Sequence, residues 1–310
     1  MLHSPDHWRR RRALAQAITL VENTNHVESD LWKLLPPRTP PFRLGFAGPP
    51  GAGKSTFIEA LGLHVLQEQP DLDLAVLCID PTSPRSGGSI LGDQTRMTEL
   101  SKKAYVRASP GTVGGLAPQT DDVIQVCGRA GYEHVWVETV GLGQSEVEIR
   151  QCVDMLLLMV PPGGGDELQG MKKGILEVTD AVVVTKSDVG NLARQTAADY
   201  KAAMPFNTAK TRFWERPPVL LASAYTKDGL DTVWEHVTRF QKELHESGEL
   251  EARRHEQQTY WMWKHLQRLV QERMHDKLQT PAQTLEAQVH QGVLPPRVAA
   301  HQLLDSFFSS

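Results

Sequence analysis

The sequence has few cysteines, little charge imbalance and no long hydrophobic run, and each absence excludes a class of protein. Its 310 residues include 3 cysteines, far apart and without a CxxC pair, which excludes a disulfide scaffold and predicts reduced, buried thiols. The 33 basic and 37 acidic residues leave a net charge of −4, so no nucleic-acid or membrane partner is expected. No apolar stretch approaches the roughly 18 residues of a transmembrane helix.

The N-terminal region contains four consecutive arginines at residues 9–12, followed by an apolar stretch. A basic block before an apolar segment can be a targeting peptide, and this remains an alternative. However, Leu14, Ile18 and Val21 have helical spacing. We therefore expect an N-terminal helix packed on the body of a cytoplasmic protein.

Apolar segments alternate with helical patterns along most of the chain. Segments that are apolar on both faces and separated by helices predict an α/β fold with a mainly parallel sheet flanked by helices. The polar ends of these segments carry most of the chemically interesting residues, as expected where ligands bind in such sheets. The predicted strands are residues 42–47, 74–79, 105–108, 134–137, 155–160, 181–184 and 219–222.

Residues 48–55 match G-x-x-x-x-G-K-[ST] between a predicted strand and a helix predicted over 54–68. In this P-loop, glycines let backbone N–H groups converge on phosphates, and the helix adds its positive N-terminal end. Lys54 is expected to reach the β- and γ-phosphates, and Ser55 to hold Mg²⁺. The predicted phosphate-loop contacts are Gly48, Gly51, Ala52, Gly53, Lys54, Ser55 and Thr56.

A second motif indicates which base is bound. Thr185, Lys186 and Asp188 follow a predicted strand and resemble the N-K-x-D motif of GTPases, with Thr185 in place of Asn. Asp188 can accept hydrogen bonds from N1–H and the amino group of guanine, a donor pair that adenine lacks, so GTP and GDP are the expected ligands. Ser223 and Ala224 resemble the last GTPase box. The alternative is an ordinary solvated turn, and Thr185 leaves the loop-bracing role of Asn in doubt.

Three acidic residues lie where they could orient Mg²⁺ and its waters. Asp80 ends a predicted strand, Asp93 lies in a polar loop, and Glu138 begins a [DE]-x-x-G segment that ends at Gly141. The alternative for each is capping or turn chemistry. The predicted metal ligands are Ser55, Asp80, Asp93 and Glu138, and the predicted catalytic residues are Lys54, Asp93 and Glu138.

The residue after Gly141 is Leu142, where Ras-like enzymes have the Gln that positions water. We therefore expect slow hydrolysis that depends on a partner. Gln144 is close by, and its role is open.

Several segments together resemble the metallochaperone-like P-loop GTPases that serve adenosylcobalamin-dependent acyl-CoA mutases. The stretches G-G-S-I-L-G-D at 87–93 and G-D-E-L-Q-G at 165–170 are far more specific than the phosphate loop. The other matching segments are residues 13–22, 48–56, 80–83, 95–97, 137–146 and 172–175.

This resemblance implies a signal-recognition-like P-loop GTPase fold, a homodimer, and a GTP-hydrolysing chaperone that gates cofactor loading and protects a B12-dependent mutase. It implies three nucleotide-sensitive segments, at about 80–97, 138–146 and 163–173. The switch residues that it implies are Gly141, Gln144, Asp166, Gln169 and Lys172.

Two other functions compete with this interpretation. Metal-insertion relatives usually carry a C-x-C-C motif or a His-rich tract, and this chain has no such cysteine cluster. A kinase or transport ATPase is the other alternative, and Asp188 argues against ATP.

The predicted domains are an N-terminal helical segment at 1–40, a P-loop GTPase domain at 41–245 and a C-terminal helical arm at 246–310. Trp263, Leu266, Val270 and Met274 have helical spacing, and Pro281 is expected to end this helix. These helices either form a dimerisation arm or pack on the GTPase domain. Exposure of aromatic residues such as Trp261 would favour the arm.

Overall fold

The computed structural model describes residues 7–23, 29–35, 37–80, 97–110, 116–117, 119–139, 148–164, 173–204 and 216–309. The chain divides into two compact units, Met1–Gln257 and Gln258–Ser310. The three domains predicted from the sequence remain predictions.

The first unit contains a sheet of seven strands in the order β3-β2-β4-β1-β5-β6-β7, and every pairing between neighbours is parallel. This confirms the predicted α/β fold. β1 lies in the centre, between β4 and β5, so the chain after β1 emerges where the sheet is most enclosed. The strands are β1 (Phe42–Ala47), β2 (Leu74–Asp80), β3 (Tyr105–Pro110), β4 (His134–Thr139), β5 (Met155–Val160), β6 (Ala181–Val184) and β7 (Val219–Leu221).

Helices lie between most consecutive strands, as parallel pairing requires, and others precede β1 or follow β7. Short 3₁₀ turns precede β5 at Ile149–Gln151 and follow β6 at Ser187–Val189. The helices are α1 (His7–Asn23), α2 (Ser29–Leu34), α3 (Lys54–Glu68), α4 (Leu100–Lys103), α5 (Thr120–Arg129), α6 (Lys173–Val178), α7 (Asn191–Ala203) and α8 (Leu230–Glu246). α9 (Glu249–His290) begins in this unit and extends beyond Gln257.

One large core cluster lies against one face of the sheet, where α3 and α8 pack together. Alternate residues of β1, Phe42, Leu44 and Phe46, contribute to this core, as the two-residue period of a strand requires. Rings extend it across the sheet: the Trp136 ring centroid lies 5.5 Å from that of Phe46 and 6.2 Å from that of Trp234 on α8. This packing fixes the central strands that end at the candidate site.

A buried ionic network lies at the opposite, amino-terminal edge of the sheet. The Asp154 carboxylate, just before β5, accepts hydrogen bonds from the Arg43 backbone N–H (2.9 Å), from Arg43 Nε (3.1 Å) and from Arg254 Nη2 (2.6 Å). Gln257 donates to the carbonyl oxygens of Arg150 and Val153, both at 2.8 Å. The first turns of α9 are therefore bonded to the starts of β1 and β5.

The second unit contains the rest of α9 and α10 (Pro296–Ser309). α9 continues through Pro281, so the prediction that Pro281 ends this helix is wrong. Proline in a helix interior costs about 3 kcal/mol. The residues after Pro281 are mostly strong helix formers, which favours a helix on the far side of the proline.

Aromatic exposure in this unit differs between neighbours. Trp261, whose exposure was expected to favour a dimerisation arm, is only 2 % exposed and gives no such support, whereas Trp263 is 55 % exposed. Among the residues that the structure describes, no helix has the length and hydropathy needed to cross a membrane.

Candidate functional site

The phosphate loop leaves the central strand β1 and ends at the first turn of α3. Gly48 has φ +148°, and a Cβ added there would lie 2.1 Å from the carbonyl oxygen of Met159 on β5. Only glycine fits this contact, because a side chain would overlap backbone. Gly53 immediately precedes α3 and has φ +81°. The loop therefore takes the course predicted from its glycines, from strand to helix N-terminus.

Lys54 is the first residue of α3, and its side chain turns back into the loop. Its ammonium Nζ donates to the carbonyl oxygens of Gly48 (2.6 Å) and Pro49 (3.1 Å). Lys54 is buried, while Thr56 is exposed. The cation therefore lies inside the loop, where an incoming phosphate would find it.

Ser55 and Glu138 meet at the carboxyl-terminal edge of the sheet. Ser55 Oγ donates to Glu138 Oε1 at 2.7 Å. Glu138 is 4 % exposed and lies one residue before the end of β4, opposite Phe46 of β1. A hydroxyl and a carboxylate beside a phosphate loop are oxygen ligands that Mg²⁺ prefers, so this pair fits the predicted metal.

The remaining predicted metal ligands lie partly outside the described residues. Asp80 ends β2 at the same edge of the sheet, with its backbone opposite Pro110, and its side chain is outside the described part, as is all of Asp93. Within the described ranges, no group of three His, Cys, Asp or Glu side chains is close enough to hold a metal. The predicted switch residues also lie outside the described residues: Gly141, Gln144, Asp166, Gln169 and Lys172.

The predicted base-recognition residues come together from two strand ends. Ser223 follows β7, is fully buried, and its Oγ donates to Asp188 Oδ1 at 2.5 Å. The same Oγ accepts the backbone N–H groups of Tyr225 and Thr226, both at 3.2 Å, so its proton is directed to Asp188. Asp188 itself is exposed. The Ser223 hydroxyl therefore orients the Asp188 carboxylate, which remains accessible to a ligand.

Lys186 and Thr185 connect this segment to the phosphate loop. Lys186 has φ +50°, and its Nζ donates to the carbonyl oxygen of Gly51 at 3.1 Å. Thr185 is 3 % exposed, and its Oγ1 lies 2.7 Å from the carbonyl oxygen of Ala52. The Thr185 hydroxyl therefore contacts the phosphate loop directly. A bracing contact of this kind is the role that the replacement of Asn by Thr185 put in doubt.

One polar contact near the site was not predicted. The backbone N–H of Gly163, in the turn after β5, donates to Thr196 Oγ1 at 2.9 Å. Nothing in the local sequence around Thr196 indicates this contact, because Thr is common in helices and the partner is 33 residues away.

Comparison with known proteins gives consistent matches over nearly the whole chain. A family model described as Methylmalonyl Co-A mutase-associated GTPase MeaB matches residues 14–280. The mouse protein "Methylmalonic aciduria type A homolog, mitochondrial" is 43 % identical over 323 residues, covering 96 % of this chain and 77 % of the mouse protein. GTPase ArgK of Escherichia coli (strain K12) is 39 % identical over 307 residues, covering 94 % of this chain and 92 % of ArgK.

A solved structure gives the same result for the fold. The crystal structure of LAO/AO transport system kinase matches with a TM-score of 0.70 and 31 % sequence identity, covering 97 % of this chain and 94 % of that one. These matches confirm the family resemblance inferred from the sequence.

Proposed function

The chain belongs to the methylmalonyl-CoA mutase-associated GTPase family, and from this premise we propose that it is a GTP-hydrolysing chaperone of an adenosylcobalamin-dependent acyl-CoA mutase. In this proposal the GTP cycle gates cofactor loading and protects or reactivates the mutase. The observation that carries it is the family match over residues 14–280, which includes both the phosphate loop and the base-recognition segment. Methylmalonyl-CoA mutase is the first candidate client, followed by isobutyryl- and 2-hydroxyisobutyryl-CoA mutases.

Guanine is the base that this site fits. Asp188 is accessible and its Oδ1 is held by Ser223, so the carboxylate can accept from N1–H and the exocyclic amino group of guanine. Adenine would leave the carboxylate without these donors, and such sites discriminate strongly. Ala224 and the stem of Lys186 would border the base.

We assign binding of the phosphates and of Mg²⁺ to the phosphate loop and Glu138. Lys54 would exchange the Gly48 and Pro49 carbonyl oxygens for phosphate oxygens and offset the negative charge that develops during transfer. Ser55 and Glu138 would hold Mg²⁺, with Asp80 and Asp93 as further proposed ligands. The ion would supply charge neutralisation at the β- and γ-phosphates.

We assign communication between the nucleotide and the mutase to the three predicted switch segments. The residues proposed to act in these segments are Gly141, Gln144, Asp166, Gln169 and Lys172. Bound γ-phosphate and Mg²⁺ would order such segments and hydrolysis would release them. Leu142 replaces the water-positioning Gln of Ras-like enzymes, which supports slow turnover that the mutase stimulates.

We further propose a homodimer formed through the C-terminal helices. Five apolar side chains of α9 are between 43 % and 55 % exposed, and their spacing places them within about 120° of one helix face. A bare stripe of this size is typical of an interface. We call it the α9 stripe, and it consists of Met262, Trp263, Leu266, Leu269 and Val270.

The experiment that tests the function is nucleotide turnover by the purified protein, alone and with each candidate mutase, with ATP as the control nucleotide. We expect slow turnover of GTP, on the order of 10⁻⁴ s⁻¹ as in Ras, that rises on addition of the mutase. GTP turnover that no mutase changes would contradict the chaperone role and favour the metal-insertion alternative. Turnover of ATP in preference to GTP would favour the alternative of a kinase or transport ATPase.

We also propose that the protein is cytoplasmic. The mouse relative is named as mitochondrial, so fractionation of the source cells is the direct test.

A further inference from the structure

The turn that follows β5, residues 161–164, is bonded to α7 through a buried threonine. Gly163 has φ +84°, and its N–H donates to Thr196 Oγ1 at 2.9 Å. Thr196 lies in α7 and is 2 % exposed. A Cβ added to Gly163 would lie 3.6 Å from Leu192 Cδ2. The turn therefore rests directly on α7.

The hydroxyl of Thr196 is suited to this acceptor role. Its own proton is donated to the carbonyl oxygen of Leu192, one helical turn earlier, at 3.0 Å. The oxygen lone pairs are then available to the Gly163 N–H. Valine has nearly the same shape without the oxygen, so Thr196→Val would remove the acceptor and, with it, the hydroxyl's bond to the Leu192 carbonyl oxygen.

The end of β5, immediately before this turn, is bonded to the base-recognition segment. The carbonyl oxygen of Val160 accepts the Thr185 N–H at 2.9 Å and lies 3.1 Å from Thr185 Oγ1. The same Oγ1 lies 2.7 Å from the carbonyl oxygen of Ala52 in the phosphate loop. Thr185, in the base-recognition segment, is thus bonded both to the end of β5 and to the phosphate loop.

α7 begins three residues after Asp188, the proposed base-reading carboxylate. Val189 ends the 3₁₀ turn and Gly190 follows it, and the Arg194 N–H donates to the carbonyl oxygen of Gly190 at 3.3 Å. From Asn191 to Thr196 the helix rises only about 8 Å. A ligand that fixed Asp188 would act close to the helix whose Thr196 accepts the Gly163 N–H.

We propose that Thr196 is a positioning residue that couples guanine-nucleotide binding at Asp188 to the turn 161–164. The turn overlaps the start of the third predicted switch segment, at about 163–173. The inference deepens the proposed function, since it rests on guanine nucleotide binding at this site and identifies one route by which occupancy reaches a segment assigned to the mutase.

The test is amide hydrogen exchange of the full chain with no nucleotide, with GDP and with a non-hydrolysable GTP analogue. We compare wild type with Thr196→Val, with Thr196→Ser, which keeps the hydroxyl, and with Thr238→Val. Thr238 is the matched control because its hydroxyl bonds carbonyl oxygens of its own helix, α8. Peptides spanning 161–164 and 185–190 are followed together.

In wild type we expect nucleotide to slow exchange in both peptides. Thr196→Val should keep the slowing at 185–190 but lose about five-fold of the protection at 161–164, the effect of one hydrogen bond. Thr196→Ser and Thr238→Val should behave like wild type, and GDP affinity should stay within about two-fold in all four proteins, since none of these side chains meets the ligand in the proposal.

Three results would overturn the inference: a response at 161–164 in Thr196→Val equal to that of wild type, no nucleotide response there in wild type, or the same loss in Thr238→Val. If Thr196→Val fails to fold, Thr196→Ala removes the same acceptor without added bulk. Failure of the chaperone proposal is separate, because absence of stimulation by a mutase would leave these exchange results unchanged.

Discussion

Lys54 and Asp188 are the two residues on which the proposed nucleotide chemistry depends most. Each is held by neighbours before any ligand arrives, Lys54 by loop carbonyl oxygens and Asp188 by the Ser223 hydroxyl. The oriented Asp188 carboxylate needs little reorganisation when a base arrives. Lys54 already lies in the loop, and it would exchange its carbonyl partners for phosphate oxygens. Single substitutions at these two positions should therefore have large and separable effects.

Lys54→Ala should lower GTP turnover by about 100-fold or more, because the phosphate charge loses its main cationic partner. Phosphate release under saturating GTP measures this. Lys201→Ala, on an exposed position of α7, is the control for loss of one positive charge. Normal turnover in Lys54→Ala would remove this loop from the chemistry.

Asp188→Asn should weaken GDP binding by at least about 100-fold, because two hydrogen bonds to a charged acceptor are lost. Xanthine nucleotides should bind better than guanine nucleotides, since xanthine has an oxygen in place of the amino group. Titration with fluorescent GDP and XDP measures both, with Asp199→Asn on α7 as the charge control. Unchanged GDP affinity would mean that Asp188 does not read the base.

Among the elements, β1, β5 and α9 are joined by one fully buried carboxylate. Burial alone would raise the pKa of Asp154, but the Arg43 charge and hydrogen bonds from Arg254 and Arg43 outweigh it and hold the pKa at about 2. Since β1 leads to the phosphate loop and β5 to the turn 161–164, this network fixes the strands that end at the site.

Asp154→Asn should lower the free energy of unfolding by about 3–5 kcal/mol, because buried arginines lose their charge partner. Urea unfolding at pH 7 measures the loss, and Asp71→Asn, on an exposed turn, should leave stability unchanged. The depressed pKa means that this contribution is present above about pH 4 and is lost as the pH falls from 3.8 towards 2. Equal stability of the two variants would contradict this role.

At the scale of the whole molecule, the core contains a histidine that should make stability depend on pH. His134 packs against the rings of Phe42 and Trp234, and burial lowers its pKa from 6.5 to about 4, opposed by the Asp154 charge. Between pH 6.5 and pH 4, the His134 side chain binds a proton in the unfolded chain but not in the folded chain. Stability should therefore fall as the pH decreases from 6.5 to 4.

For His134 alone the expected loss over that range is about 3 kcal/mol. His134→Phe keeps a ring in the core and should give a flatter curve of unfolding free energy against pH between 7 and 4.5. Partial dependence should remain, because burial also lowers the pKa of His236 to about 4. His301→Phe, at an exposed position of α10, is the control and should keep the wild-type slope.

Assembly is the second prediction for the whole molecule. Leu266→Glu places a charge within the α9 stripe and should raise the dimer dissociation constant by about 30-fold or more, the effect of losing a central interface residue. Light scattering after size exclusion measures the mass over a range of concentrations. Gln271→Glu, an exposed substitution on the same helix, should leave the dimer intact. A wild-type mass of one chain at every concentration would contradict the dimer.

Local patterns determined much of this protein from the sequence alone. Apolar runs bounded by polar residues predicted the strands, and the bounds of β1, β5 and β6 agree with the structure residue for residue. The glycines and Lys54 of the phosphate loop act on adjacent backbone, so their spacing in the sequence is sufficient to identify them.

Contacts between distant residues were decided only by the tertiary structure. Arg43 and Asp154 are 111 residues apart, and Thr185 and Ala52 are 133 apart. Each pair meets because β1 lies beside β5, and β5 beside β6, an order that no local pattern specifies. The helical context of Pro281 likewise overrode a local rule. Short-range periodicity fixes which elements form, whereas their order in the sheet fixes which buried polar groups become partners.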